Sequence, residues 1–229
     1  MRRRSEVCIV VPAYNEAGAI DDVLLKLTRL PYHVIVVDDG SSDDTSVRAL
    51  RHPVTVLRHT CNLGQGAALQ TGITYGLQLP ETRFIVTFDS DGQHSAADVD
   101  RLLAPLRAGT HDIVLGSRFL KDGGAVNIPR LKRLLLRSAV WYTRLTSGLT
   151  VTDAHNGLRA LTAEAARKLN ITHNRMAHAS ELLNQFACLR VRYCEAPVTV
   201  TYTRYSLSKG QALLNAVNIL WDMAVGRMR

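Results

Sequence analysis

The sequence predicts an α/β protein with a mainly parallel central sheet. Three observations carry this. Short, continuous, β-branched runs recur along the first half of the chain. Helical stretches alternate with them, and acidic or glycine-containing turns follow the runs directly.

Val7-Cys8-Ile9-Val10-Val11 is a strand buried on both faces, ended by Pro12. A helix follows, capped by Asn15 or a neighbour and running to about Leu30, with Ile20, Val23, Leu24 and Leu27 on one face. His33 to Val37 is the second strand and leads into Asp38-Asp39-Gly40-Ser41-Ser42, after which Asp43-Asp44-Thr45 starts a helix. Val54 to Leu57 is the third strand, Gly66 to Leu77 a helix, and Phe84 to Phe88 the fourth strand. A helix over 97–108 precedes the fifth strand, Ile113-Val114-Leu115. Arg130 to Leu145 is a basic, apolar helical stretch. Asp153 to Leu161 reads as loop and then helix, Met176 to Cys188 as helix, and Val198 to Thr201 as strand. Residues 210–229 read as a final helix, so the predicted division is a domain over 1–209 and a helix over 210–229.

Ligands in open α/β sheets bind outside the carboxyl ends of strands. The polar clusters lie there: Asp38-Asp39, Asp89-Ser90-Asp91 and Gly116-Ser117-Arg118. Asp89 and Asp91 are two apart on an extended segment, so their carboxylates share a face. Such a pair repels itself without a cation, and oxygen ligands with room for phosphate suit Mg²⁺ or Mn²⁺. The same tripeptide also occurs on solvated loops; burial of the preceding strand and the nearby Gln93 strengthen the metal reading, and taken alone the motif leaves both readings open. Asp39 has two readings, an acceptor for a ribose or base and a member of a helix-capping cluster. Asn62-Leu63-Gly64-Gln65-Gly66 puts glycines at a strand-to-helix junction, where a helix N-terminus favours anions. It fails as a dinucleotide fingerprint, since Leu69 replaces the third glycine and the third strand precedes it.

The chain has 229 residues, 46% of them hydrophobic, and a formal charge of +8, which favours anionic partners. No nucleic-acid motif or stacking aromatic series accompanies the charge. Cys8, Cys61, Cys188 and Cys194 form no metal-like spacing and read as buried thiols in a reducing compartment. No signal peptide or run of about 20 apolar residues is present.

Together the motifs resemble family 2 glycosyltransferases. Val11-Pro12-Ala13-Tyr14-Asn15-Glu16, Val37-Asp38-Asp39-Gly40-Ser41-Ser42-Asp43, Asn62-Leu63-Gly64-Gln65-Gly66-Ala67 and Asp89-Ser90-Asp91-Gly92-Gln93-His94 occur in that family's order. Gly116-Ser117-Arg118, Asp153 to Arg159, Arg204 and Ser208-Lys209 look like the dolichyl- and polyprenyl-phosphate sugar transferase branch. The resemblance spans residues 6–210 and implies a glycosyltransferase A-type, Rossmann-like fold. It implies that Pro12, Tyr14, Glu16 and Asp39 hold the nucleoside, beside Gly64, and that Asp89, Asp91 and Gln93 bind Mg²⁺ or Mn²⁺. Arg118 and Arg133 would meet an acceptor phosphate, and Arg204 and Lys209 would cover phosphates. Asp153 and Arg159 would shape the sugar pocket, with Glu181 near its floor.

The implied reaction is inverting transfer of a hexose from a GDP- or UDP-sugar to a polyprenyl or dolichyl phosphate, feeding cell-surface glycan or glycoprotein assembly. Relatives that glycosylate hydroxyls usually carry a Glu-Asp pair whose Asp is the base. Here His178-Ala179-Ser180-Glu181-Leu182 has no Asp, which favours a phosphate acceptor over the alternative, a saccharide hydroxyl. A nucleotidyltransferase would carry a Gly-rich basic signature near the first strand, and none is there. The basic stretch 130–144 with Trp141 and the apolar final helix suit peripheral contact with the cytoplasmic face of a membrane, a small membrane protein or a second copy.

Overall fold

The computed structural model describes residues 5–126, 128, 136, 138, 140, 141, 143, 144, 147–154, 156–172, 177–203 and 205. Seven strands form the main sheet: β1 (Val7–Ala13), β2 (His33–Asp38), β3 (Thr55–Arg58), β4 (Phe84–Thr87), β5 (Ile113–Ser117), β7 (Arg159–Thr162) and β8 (Tyr193–Pro197). Their order is β3-β2-β1-β4-β7-β5-β8. All pairs are parallel except those of β7, which runs antiparallel to β4 and β5. A second sheet pairs β6 (Gly124–Val126) with β9 (Thr199–Thr201). The helices are α1 (Ile20–Leu27), α2 (Thr45–Ala49), α3 (Gln65–Gln78), α4 (Val99–Arg107), α5 (Ala163–Arg167) and α6 (Ala177–Cys188).

Side-chain alternation along β1 divides the core. Val7, Ile9 and Val11 join Val34 and Val36 against α1 and α4 on one face. Cys8 and Val10 join Ile35 and Val37 against α3 and α6 on the other. This period of two explains why the strand is apolar throughout. Helix α3 approaches closely because Gly72 has no side chain; a Cβ there would lie 2.3 Å from Val10 Cγ1.

Several expectations are corrected. Pro12 does not end β1, which continues to Ala13 against β2. The ladder with β4 stops at Val10↔Thr87, so the missing N–H of Pro12 forfeits no sheet bond there. Helix α1 begins at Ile20 rather than near Asn15, whose φ is +54°. The side chain of Asn15 serves the neighbouring loop instead, accepting from Ser42 N–H at 2.9 Å. The end of the 153–161 stretch, read as helical, falls in β7 in mid-sheet, with Ala160 facing one core layer and Leu161 the other. Two strands, β6 and β8, had no counterpart in the sequence reading. Of the four free cysteines only Cys8 is buried; Cys61 and Cys188 are exposed. The described positions from 136 to 147 are helical. The helix expected over 210–229 lies outside the described residues.

Candidate active site

Strands β1 to β5 end at one edge of the sheet. The chain passes from β1 to β2 to β3 in one direction and then returns to β4 on the other side of β1. That reversal opens a crevice beyond the ends of β1 and β4. Asp89-Ser90-Asp91 lies at it: Ser90 Oγ donates to the Pro12 carbonyl at 2.8 Å, tying the loop after β4 to the end of β1.

The two carboxylates are held differently. Asp91 accepts from Gln93 N–H at 3.0 Å and Gln93 Nε2 at 2.7 Å, a turn allowed by Gly92 at φ +77°. Burial, and then the neighbouring charge of Asp89, raises its pKa to about 6. Asp89 accepts from Gln65 Nε2 at 3.1 Å and His94 Nε2 at 3.2 Å. Burial opposes its charge, but the His94 bond, helped by the charges of Arg159 and His178, brings the carboxyl below its ordinary value. The small sheet braces this loop, since Thr201 N–H donates to the Gln93 carbonyl at 2.9 Å.

The donor-side candidates form a stitched pair of loops. Asn15 N–H donates to Ser41 Oγ at 2.9 Å and Glu16 N–H to Thr45 Oγ1 at 2.8 Å. Tyr14 is exposed there, and the Glu16 carboxylate accepts from Tyr205 OH at 2.9 Å. Asp38 is wholly buried and serves structure, accepting from Ser41 N–H and Ser46 Oγ. Asp39 accepts from His59 Nδ1 at 2.7 Å, Leu63 N–H at 3.0 Å and Gly64 N–H at 2.7 Å. Its carboxylate therefore organises the loop before α3, and the Gly64 N–H already has its acceptor.

Arg118, at the end of β5, is turned inward and is 7% exposed. Its Nε donates to Asp153 Oδ2 at 2.6 Å and its Nη1 to Tyr202 OH at 2.5 Å. Burial works against its charge, but Asp153 and Tyr202 outweigh that and raise its pKa. The Asp153 loop is fastened in turn by Glu195 of β8, which accepts from Thr152 N–H and Oγ1 and from Asp153 N–H. Arg159 is buried at the start of β7; burial lowers its pKa, while its interactions with Asp89 and Asp153 oppose the shift.

The structure thus brings Pro12, Asp89, Asp91, Gln93, Asp153 and Arg159 to one edge, with Arg118 behind Asp153. Glu181 accepts from Thr172 N–H at 3.0 Å and Thr172 Oγ1 at 2.6 Å. Arg133, Arg204 and Lys209 lie outside the described residues. Sequence reasoning missed Gln65, Tyr202 and Glu195. Gln65 lies within the Asn62-Leu63-Gly64-Gln65-Gly66-Ala67 motif, whereas Tyr202 and Glu195 carry no signal. Among the described residues, no group of three or more His, Cys, Asp or Glu side chains makes a ready metal cage.

A family model described as Glycosyl transferase family 2 matches residues 8–169. A similar protein, an uncharacterised one from Methanocaldococcus jannaschii, is 36% identical over 98% of this chain and 93% of its own length. An undecaprenyl-phosphate mannosyltransferase of Micrococcus luteus is 32% identical over 95% of this chain and 94% of its own. A UDP-N-acetylglucosamine–dolichyl-phosphate N-acetylglucosaminyltransferase of Methanococcus voltae is 28% identical over 97% and 96%. Among solved structures, the fold is shared with glucosyl-3-phosphoglycerate synthase from Mycobacterium tuberculosis, in complex with Mn²⁺, UDP and glucosyl-3-phosphoglycerate. The TM-score is 0.69 at 22% identity, covering 89% of this chain and 74% of that one.

Proposed function

This chain belongs to glycosyltransferase family 2, and from that premise we propose that it transfers a hexose, with inversion, from a nucleotide-sugar to a polyprenyl or dolichyl phosphate. The observation that carries the reading is the Asp89–Asp91 pair at the switch point, with Asp153 and buried Arg118 beside it. The relatives named for undecaprenyl and dolichyl phosphate support the acceptor. Either a UDP- or a GDP-sugar is the donor in this reading.

The residues at the crevice fit a divalent cation. Two carboxylates and the Gln93 amide oxygen are hard oxygen donors, and the pKa of Asp91 is raised first by burial and then by the neighbouring Asp89 charge, both of which a bound cation would offset. Fewer than three acidic ligands suits Mg²⁺ or Mn²⁺, whose coordination nucleotide phosphates and water complete. When bound, the ion would neutralise the departing diphosphate. Asp89, Asp91 and Gln93 would hold it. Pro12, Tyr14, Glu16 and the loop ordered by Asp39 and Gly64 would seat the nucleoside. Asp153 and Arg159 would line the sugar pocket.

A phosphate acceptor is already ionised, so no strong base is required of the protein, only cations that orient the oxygen. Arg118 acts through Asp153 in the resting arrangement, and Arg133, Arg204 and Lys209 complete the cationic side of the proposal. Glu181, held by Thr172, would support the wall next to His178. Peripheral contact at the cytoplasmic membrane face, through the 130–144 stretch with exposed Trp141 and through residues 210–229, expected from sequence to be a helix beyond a 1–209 domain, belongs to the same reading. So do a small membrane partner or dimer and a place in envelope glycan assembly. No described helix is long and apolar enough to cross a membrane.

The test is transfer from radiolabelled UDP- and GDP-sugars. Label entering the organic phase only with added polyprenyl phosphate upholds the proposal; transfer only to saccharide acceptors rejects it.

A further inference from the structure

Asp89 is seated by parts of the chain remote from its own turn. Gln65 reaches it from the start of α3, and His94 from the far side of the loop. The third neighbour is bare backbone. A Cβ built on Gly157 would lie 2.0 Å from Asp89 Oδ2, 2.3 Å from Oδ1 and 2.4 Å from Cγ. Real Cβ atoms essentially never come within 3.0 Å of another group. The carboxylate therefore rests on the space a side chain would fill.

Gly157 is not needed here for its backbone conformation, since its φ is not among the positive values. Nor is it able to retreat easily. Its carbonyl accepts from Thr87 Oγ1 at 2.7 Å, at the end of β4. Next to it, Leu158 N–H donates to Asn156 Oδ1 at 3.0 Å, and the Leu158 carbonyl accepts from Gly116 N–H at 2.9 Å. Asp89, pinned by Gln65 and His94, is the group that must move.

We propose that Gly157 is a positioning residue for the metal–diphosphate site, its absent side chain forming the seat of the Asp89 carboxylate. The inference rests on the metal reading above. It also joins the two halves of the site, because Asn156 Nδ2 donates at 3.3 Å to Asp153, the carboxylate that holds Arg118.

The experiment compares wild type with Gly157→Ala, Asp91→Ala and Gly124→Ala, the last at a position where a Cβ meets nothing within 4 Å. Mn²⁺ binding is followed by electron paramagnetic resonance in the presence of UDP or GDP, and metal-free crystal structures are determined for wild type and Gly157→Ala. Gly157→Ala is expected to weaken Mn²⁺ binding roughly 10–100-fold, the range for residues that orient a metal ligand, with Gly124→Ala unchanged. Its crystal structure is expected to show Asp89 displaced in an otherwise intact fold. Unchanged Mn²⁺ affinity in Gly157→Ala, with binding lost in Asp91→Ala, overturns the inference and leaves the metal reading standing. If Asp91→Ala binds Mn²⁺ like wild type, the metal reading falls. The positioning role falls with it, whatever place Asp89 takes in the crystal structure.

Discussion

Replacing Asp153 by alanine removes a carboxylate from beside a buried guanidinium. Asp153 is 3% exposed and Arg118 7%. The carboxylate accepts from Arg118 Nε at 2.6 Å, Nη2 at 3.4 Å and backbone N–H at 3.2 Å, and from Asn156 Nδ2 at 3.3 Å. Removing one partner of such a buried pair is destabilising by about 3–5 kcal/mol, because the other charge stays desolvated. A domain of this size loses about 2–4 °C in Tm per kcal/mol, so the expected drop is roughly 6–20 °C. Asp153→Asn keeps one acceptor oxygen and falls between wild type and alanine. Removing both charges with Arg118→Met and Asp153→Leu recovers part of the loss, since the desolvated ion is gone. Differential scanning calorimetry at neutral pH reads all four proteins. An Asp153→Ala protein that melts with wild type, or a double variant worse than the single, refutes the reasoning.

Three further outcomes are expected. Asp91, with its pKa raised to about 6, is protonated below that pH and must lose its proton to bind a cation. Mn²⁺ affinity should therefore climb about tenfold per unit below pH 6 and level off above it; equal affinity at pH 5 and pH 7.5 contradicts this. Gly72→Ala drives a Cβ toward Val10 Cγ1 in a close-packed layer and should lower stability by about 1–3 kcal/mol in urea unfolding, with relief by Val10→Ala. Asp39→Ala withdraws the acceptors of both Leu63 and Gly64 N–H, so these amides should exchange with deuterium faster while those of β1 keep their protection.

The parts legible in the sequence are those where burial leaves a pattern. Strands β1, β2 and β4 are apolar on both faces, and their polar turns follow at once. Strand β7 left no such mark. Arg159-Ala160-Leu161-Thr162 has one β-branched residue and is a strand because β4 and β5 flank it, tertiary pairing overriding local preference. Strand β8, Tyr193-Cys194-Glu195-Ala196-Pro197, was hidden for the same reason, and with it the part Glu195 plays in holding the Asp153 loop. At the site, the position of Asp89 and Asp91 was readable, but the partners of each residue were not. Asp39 reads both as a ribose or base acceptor and as a member of a helix-capping cluster, and its bonds to Leu63 and Gly64 N–H belong to neither pattern in the sequence. Arg118 reads as a cation offered to an acceptor and is found paired with Asp153. Hydrogen-bond partners 20 to 100 residues apart leave no spacing to read.

The central claim is that Asp89 and Asp91 form a metal–diphosphate site. A thermal-shift screen of UDP, GDP and other nucleoside diphosphates, with Mn²⁺ or with chelator, tests it most directly. A ligand at about 100 times its Kd stabilises the native state by about 2.7 kcal/mol, or roughly 5–11 °C here. The account predicts such a rise for at least one nucleotide, only with Mn²⁺, and none in Asp91→Ala. A rise of equal size with chelator present, or one retained in Asp91→Ala, would contradict it.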